Sequence, residues 1–556
     1  MKKISSILFL FLFYHLAIAQ TEPIKYWVQL KDKNASPFSV NTPSAYLSDK
    51  AIARRSKQNI PVTNSDLPVN PNYINKIKSL GVTVLNQSRW FNAVTISSLD
   101  SNKISSIKTL PFVKSIKKID NTQQTGVPSK FKMESNTMAV PIEKSGSRQS
   151  TDVLDYGISY SQANQIGVNC LHNLGYQGQG MVIAVLDAGF YNANILPAFD
   201  SLRVNNQILG TRDFVTGDTM VYEDYPHGMN VLSCMGGNLP GQLIGTAPKA
   251  KYWLLRTEDA ATEKIIEEMN WLRGAEFADS VGADIINSSL GYNYFDNTAD
   301  SHTYADMDGH TTIISKAAEF AADKGIVVVS AAGNAAGYPW YKITAPADAD
   351  SILTVGAVDS VGFIAGFSSR GLTYDGRIKP DVVARGVQAI TAADAGGINA
   401  ESGTSFASPI TAGAVACLWQ ANPSATNMQL IDAIRQSANQ FSIPDSIKGY
   451  GIPNFCAAHT ILTGIDNPNV HADELIVYPN PFKENITIVF YSTKKQTITV
   501  SLYDITGKEI SKQEKNMDAN TNNTISIAGN KALSNGMYLL HVTTPDKSYY
   551  KKLNKN

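Results

Sequence analysis

Three textures of apolar and polar residues follow one another along the chain. From residue 21 to about 120, strand-like and helix-like periods alternate in short pieces. "KYWVQLK" reads as a strand, "SAYLSDKAIARRSKQN" and "NYINKIKSLG" as helices, and "VTVLNQSRWFNAVTIS" as paired strands. "SNKISSIKTLPFVKSIKKI" adds a helix and a closing strand, so a small α+β module is expected. From about 156 the strand signals become wholly apolar: "MVIAVLD", "KYWLLRT", "ADIINSSLG", "GIVVVSAAGN", "ILTVGAV". Strands apolar on both faces belong in a parallel sheet covered by helices. "ATEKIIEEMNWLRGAEFADS" and "TTIISKAAEFAADKG" supply two such helices. The expected fold of this region is α/β, a doubly wound parallel sheet. After about 465 the pattern shifts to alternating residues between Asn/Gly turns, as in "NITIVFYS", "TITVSLYDITGKEI" and "NGMYLLHVTT", which predicts a small β-sandwich.

The stretches between these regions have no periodicity. Residues 121–155 are rich in Ser, Thr, Gln, Lys and Pro and read as an exposed, protease-sensitive linker. "IDNPNVHADE" reads as a second one. The first residues, "MKKISSILFLFLFYHLAIAQ", place two lysines before a short apolar run and a small-residue cleavage site, the pattern of a secretory signal. The expected boundaries are therefore 1–19 signal, 20–120 module, 121–155 linker, 156–462 α/β domain, 463–473 linker and 474–556 sandwich.

Composition narrows the reading further. Hydrophobic residues make up 43% of the 556 and charged residues 17%, a globular balance with ample core material. The formal net charge is zero, but it is unevenly spread. Residues 21–150 carry 19 Lys+Arg against 8 Asp+Glu, and residues 151–465 carry 16 against 31. A basic first part beside an acidic middle predicts mutual attraction that added salt would weaken. Nucleic acid binding by the basic part is disfavoured, because a dense Lys/Arg stripe interleaved with aromatics is missing. Of the four cysteines, Cys234 and Cys417 lie in apolar helical segments and read as buried thiols, and no spacing suggests zinc. An export signal permits a Cys170–Cys456 disulfide, which the sequence leaves open.

In open parallel sheets, sites form beyond the carboxyl ends of the strands. Asp187 ends "VIAVLD", where a buried carboxylate must find partners. His227, in "YPHGMNVLSCMGG", opens a helix of small and apolar residues, whereas His302 and His310 sit in a polar stretch that reads as solvated. Ser405 stands in "ESGTSFASPITAGAVACLWQ", at the mouth of an apolar helix. Taken singly, these are also an ordinary turn aspartate, a satisfied histidine and a helix cap. Together they supply a nucleophile, a base and an orienter. The Ser405 N–H and the side chain of Asn334, in "VVVSAAGNAAG", supply donors for an oxyanion.

The stretches "VIAVLDAGF", "PHGMNVLS", "INSSLGY", "VVSAAGN", "FSSRG", "KPDVVARG" and "GTSFASPITAGAVA" resemble, in that order, the subtilisin-like serine proteases. Their Asp, His, Ser order is the one known for subtilisin. Carried over by position, the resemblance implies that Asp187 orients His227, that His227 is general base and acid, and that Ser405 forms an acyl-enzyme. Asn334 would donate to the oxyanion. Ser289, Leu290 and Gly291, with Ala331, Ala332 and Gly333, would pair with the backbone of a protein or peptide substrate and wall its primary pocket. Those walls lack charge, which favours an apolar side chain before the cut bond; the pocket floor stays unplaced. Met229 and Ala188 depart from the usual small or hydroxyl residues beside the histidine and aspartate. No cofactor is required, although the family raises Ca²⁺, for which "DMDGH" (Asp306 to His310) is part of a loop. Residues 20–120 resemble a protease propeptide, an inhibitory partner of the same chain. The tail, with "YPNPF", "LYDITGK" and "NGMYLLHV", resembles the C-terminal sorting domain of the type IX secretion system of Bacteroidetes, which implies that machinery as a partner and a secreted or cell-surface location. The rival reading is a non-enzymatic surface protein that keeps the fold as a binding scaffold.

Overall fold

In the computed structural model, which describes residues 23–119, 152–463, 475–478, 482, 486–492, 494–518, 521–527 and 533–555, the wholly apolar runs become adjacent strands. The signal segment and most of both linkers lie outside the described residues. Seven strands form one sheet: β5 (Val182–Asp187), β6 (Ile208–Asp213), β9 (Lys251–Arg256), β10 (Ile285–Ser288), β11 (Val327–Ala331), β12 (Leu353–Val358) and β13 (Val382–Arg385). Their order is β13-β12-β11-β10-β5-β9-β6, and every neighbouring pair is parallel. β5 is buried at all six positions, which is why its sequence shows no alternation. Its odd-numbered side chains Ile183 and Val185 join one core with residues of helices α7 (His227–Gly236) and α10 (Thr404–Ala421). Val182, Ala184 and Leu186 join a second core with α8 (Ile266–Val281) and α9 (Ile313–Asp323). The sheet is thus covered on both faces, as expected of a doubly wound unit. Short ribbons, β7 (Asn238–Leu239) with β8 (Leu243–Ile244) and β14 (Ala389–Ala392) with β15 (Ile398–Glu401), form two separate small sheets that pack against α7. Smaller helices, α4 (Tyr160–Gln165), α5 (Val168–Asn173), α6 (Asp200–Val204), α11 (Asn427–Gln436) and α12 (Phe455–Leu462), complete the unit.

A disulfide joins Cys170 on α5 to Cys456 on α12, across a sequence separation of 286 residues. Cys234 and Cys417 are free and buried.

The tail forms two antiparallel sheets. One has the order β16 (Leu475–Tyr478), β17 (Ile486–Ser492), β20 (Thr521–Ile527). The other runs β19 (Glu509–Met517), β18 (Gln496–Asp504), β21 (Gly536–Thr543), β22 (Ser548–Lys555). Phe482, Ile488, Phe490, Val500, Leu502, Leu540, Val542 and Leu553 share their core, so the alternation read from the sequence marks the inward face.

The N-terminal module is a four-stranded antiparallel sheet, β2 (Thr83–Ser88), β3 (Ala93–Ser98), β1 (Ile24–Leu30), β4 (Val113–Lys118), in spatial order. It carries helices α1 (Asp49–Lys57), α2 (Pro71–Lys78) and α3 (Ser101–Lys108). It docks on α8 and α9. Trp90 stacks on Phe320 with ring centroids 5.9 Å apart, and Trp27, Ala93 and Ile119 enter the second core of the α/β unit. Three guanidiniums from the module converge on one carboxylate, Asp279 of α8: Arg54 at 2.5 Å, Arg55 at 2.7 Å, and Arg89. Glu276, one turn earlier, accepts from Ser88 Oγ (2.6 Å) and from the backbone N–H groups of Arg89 and Trp90 (3.1 Å each). Burial alone would raise the Asp279 carboxyl, but Arg89, Arg54 and Arg55 outweigh it and hold the group below its ordinary value.

This geometry changes the expectation about salt. The opposite charges do meet, but inside the interface, where mobile ions screen poorly. Removing a buried partner leaves its counterparts uncompensated, at a cost of roughly 3–5 kcal/mol. Asp279→Ala should therefore loosen the module, seen as faster hydrogen exchange across β1–β4 in the intact chain. Salt at 1 M should change that exchange little. The depressed Asp279 carboxyl makes its docking contribution present above about pH 4 and lost as pH falls through the lowered value, so acid should act more strongly than salt.

Candidate active site

The carboxyl ends of β5, β10 and β11 converge on the start of α10. Asp187 is the last residue of β5 and fully buried. Its Oδ1 accepts from the Ala188 backbone N–H at 2.8 Å and lies 2.7 Å from His227 Nδ1. His227 is the first residue of α7, behind Pro226. This approach needs the next residue to be glycine. A Cβ on Gly228 would sit 2.4 Å from the Gly189 carbonyl oxygen and 2.8 Å from Asp187 Cβ. The imidazole then lies against Phe406, the residue after Ser405, with ring centroids 5.9 Å apart.

Ser405 is the second residue of α10 and buried, and the N-cap is Gly403, so neither Thr404 nor Ser405 caps the helix with its side chain. Two reciprocal hydrogen bonds tie Ser405 to the segment after β10: its Oγ donates to Ser289 O (3.2 Å), and Ser289 Oγ donates to Ser405 O (2.8 Å). Asn334 is held from the other side. Its Oδ1 accepts from Thr404 N (2.9 Å) and Thr404 Oγ1 (3.0 Å). Pinning the carbonyl oxygen fixes the plane of the side-chain amide and directs its NH₂ away from the helix backbone. Asp187 is bonded to His227, whose ring lies against Phe406, the neighbour of Ser405, and Asn334 is bonded to Thr404, its other neighbour, so the four residues gather at the start of α10. That set can move a proton and stabilise an oxyanion.

Ser289–Gly291 and Ala331–Gly333 extend the neighbouring strands β10 and β11. Thr344 lies between the two segments. A Cβ on Gly291 would be 2.2 Å from Thr344 Oγ1, and one on Gly333 would be 2.8 Å from it. Tyr292 and Ala345 exchange backbone hydrogen bonds of 2.8 and 3.1 Å, which fixes this crossing. Thr344 is thus a buried residue on which both segments close, a position without a mark in the sequence. Met229 is buried in the first core, and the Ala188 N–H serves the aspartate directly.

The two carboxylates of the "DMDGH" loop are engaged by their own turns. Asp306 Oδ2 accepts from Thr303 N and Oγ1, and Asp308 accepts from His310 N, Thr311 N and Thr311 Oγ1. Both carboxylates cap their own turns. Among the described residues, carboxylates converge elsewhere, at the buried Glu258, Glu263 and Glu267, whose oxygens lie within 4.8 Å of one another. Tyr292 Oη donates to Glu258 at 2.5 Å, and all three glutamates have protein partners.

His302 is not solvated as its polar neighbours suggest. Its side chain is 13% exposed, its Nε2 lies 2.5 Å from Glu268 Oε1 on α8, and its ring meets Phe295 edge-on. Burial pushes its pKa down, but the hydrogen bond and charge of Glu268, with Asp306 and Asp348 behind it, raise it overall. A raised histidine stabilises fully below its ordinary value of about 6.5 and loses that contribution as pH rises through the raised one. Melting temperature measured across that range should fall more steeply for the natural chain than for His302→Gln.

Comparison with known proteins places this geometry. A family model described as the subtilase family, Peptidase S8, matches residues 178–451. A Peptidase S8 propeptide domain of Bacteroidota matches 25–135, and a secretion system C-terminal sorting domain matches 476–556. The chain is 31% identical over 289 residues to a subtilisin of Bacillus pumilus, covering 51% of this chain and 90% of that one. It is 31% identical over 289 residues to subtilisin E of Bacillus subtilis (strain 168), covering 51% of this chain and 65% of that protein. Serine protease AprX of the same strain is 30% identical over 307 residues, covering 50% of this chain and 65% of its own length. The chain thus spans just under two thirds of the length of subtilisin E. The solved structure of MycP1 without its N-terminal propeptide aligns at 22% identity and a TM-score of 0.43, over 55% of this chain and 98% of that one.

Proposed function

The chain belongs to the subtilase family, and on that footing we propose that it is a secreted serine endopeptidase made as a zymogen. The observation that carries the reading is the buried 2.7 Å contact between Asp187 and His227, beside a serine at the start of α10. His227 takes the proton of Ser405 Oγ as that oxygen bonds to the scissile carbonyl carbon. Asp187 holds the tautomer in which Nε2 carries no proton and can accept one, and stabilises the imidazolium that forms. The negative charge moves to the carbonyl oxygen, which receives hydrogen bonds from Asn334 Nδ2 and the Ser405 N–H. The imidazolium then protonates the leaving amine, the C–N bond breaks, and an acyl-enzyme remains. Water, deprotonated by His227, releases the acid and restores the serine.

Protein or peptide substrates would lie extended between Ser289–Gly291 and Ala331–Gly333. The uncharged walls favour an apolar side chain before the cut bond. The N-terminal module, docked through Asp279, acts as the chain's own inhibitor. The tail directs export through the type IX machinery, which makes the enzyme secreted or surface-bound. Calcium at the "DMDGH" loop would be structural and takes no part in these steps. The scaffold alternative is disfavoured because all four reacting groups are present and share one site.

The test is labelling with a serine-directed fluorophosphonate alongside casein hydrolysis. Ser405→Ala should abolish labelling and lower kcat about 10⁶-fold, the scale set by subtilisin itself. Asn334→Ala should retain labelling at a slower rate and lower kcat ~10²–10³-fold. Equal activity in the natural chain and Ser405→Ala would favour the scaffold instead.

A further inference from the structure

The loops that follow Asp187 and precede His227 leave different strands, and one guanidinium binds both. Arg256 is the last residue of β9, and its side chain is only 10% exposed. Its Nε donates to the carbonyl of Ala188, the residue after Asp187, at 3.2 Å. Its Nη1 lies 3.1 Å from Asp224 Oδ1, three residues before His227. The same nitrogen lies 2.8 Å from Asp213 Oδ2, at the end of β6. Asp213 is a firm anchor, since its other oxygen accepts from Val215 N and Thr216 N at 2.7 and 3.1 Å. The backbone repeats the linkage: Arg256 O accepts from Phe214 N (2.8 Å), and the adjacent Thr257 N donates to Asp187 O (2.9 Å).

The two loops have little slack where they meet. A Cβ on Gly189 would lie 2.5 Å from Asp224 Cβ and 2.6 Å from Tyr225 N. Phe190 N donates to Val221 O at 2.8 Å. Without the cation, Asp213 and Asp224 would face each other across this seam as uncompensated like charges, which drives the loops apart.

We infer that Arg256 is a positioning residue that sets the alignment of Asp187 with His227 by clamping residue 188 and residue 224 to the end of β6. Its polar partners, Ala188 O, Asp213, Asp224 and Asp259, belong neither to the substrate segments nor to the serine. The inference rests on the proposed Asp187-His227-Ser405 reading. Its geometry also explains why arginine stands here: three directions of contact need a planar fork, which a lysine ammonium on a flexible stem does not supply.

The experiment compares Arg256→Met, Arg256→Lys and Asp224→Asn with the natural protein, purified and assayed after processing. Peptide-anilide hydrolysis gives kcat and KM, fluorophosphonate acylation gives a single-turnover rate, and near-UV circular dichroism checks packing. Misplacing a reacting group by about 1 Å costs ~10²-fold. Arg256→Met should therefore lower kcat and the acylation rate ~10²-fold with KM nearly unchanged. Arg256→Lys should recover part of the loss, and the more exposed Asp224→Asn should fall between Arg256→Met and the natural protein. A folded Arg256→Met with natural kcat would overturn the inference, as would parallel changes in kcat and KM that Arg256→Lys does not relieve. If Arg256→Met does not fold, Asp224→Asn decides, and natural kcat there overturns it. Ser405→Ala separates the two levels: if it is inactive while Arg256→Met is unaffected, only this inference fails; if it is active, the underlying reading fails as well.

Discussion

A carboxylate without water must be met by donors, and in this protein that requirement organises the site. Asp187 lies at the end of a strand buried on both faces, so its charge is tolerable only where N–H groups reach it. The chain supplies them from two places: its own next backbone N–H and an imidazole 40 residues later. That second donor can arrive only if α7 starts against the end of β5, and Gly228 permits that approach. The requirement that makes the aspartate stable thus also fixes the ring, and the fixed ring is what a serine on a neighbouring helix needs in order to react.

The same economy appears at the module interface. Asp279 sits on α8 and takes charge from three arginines of one partner. Buried ion pairs add little net stability over apolar packing, but they penalise mismatched partners heavily. Affinity here is better assigned to Trp27, Trp90 and Ala93, and selectivity to the arginines. The basic first part and acidic middle of the sequence are the distant sign of this arrangement, although total charge does not reveal how few residues do the matching.

The parts of this fold visible in the sequence were those whose burial leaves a periodic trace. β5, β9, β10, β11 and β12 stood out as apolar runs, and α8 and α9 as the helices between them. β6 and β19 did not, because each lies at a sheet edge and carries exposed polar residues, so nothing forces a pattern on it. At the site, Asp187, His227, Ser405 and Asn334 were legible because reactive residue types interrupt apolar segments near strand or helix ends. Thr344, Arg256 and the Glu258 group were not. Their significance comes from what other segments bring beside them, and a threonine in "YKITAPAD" or an arginine after "WLL" has no local mark. His302 misled for the converse reason: its sequence neighbours are polar, but its partner Glu268 comes from a helix 34 residues earlier.

The Cys170–Cys456 bond links a helix near the start of the α/β unit to one near its end. Between these cysteines the polypeptide is a covalent ring, and both linkers fall outside it in sequence. Trimming either overhang therefore leaves the ring's own closure untouched. An exopeptidase that enters at a frayed end is stopped at a crosslinked residue before it reaches the sheet. A single internal nick would still leave both fragments tethered. For a protein that would live among active copies of an endopeptidase, this closure keeps the two pieces of a once-nicked α/β unit covalently joined, which core packing alone does not do.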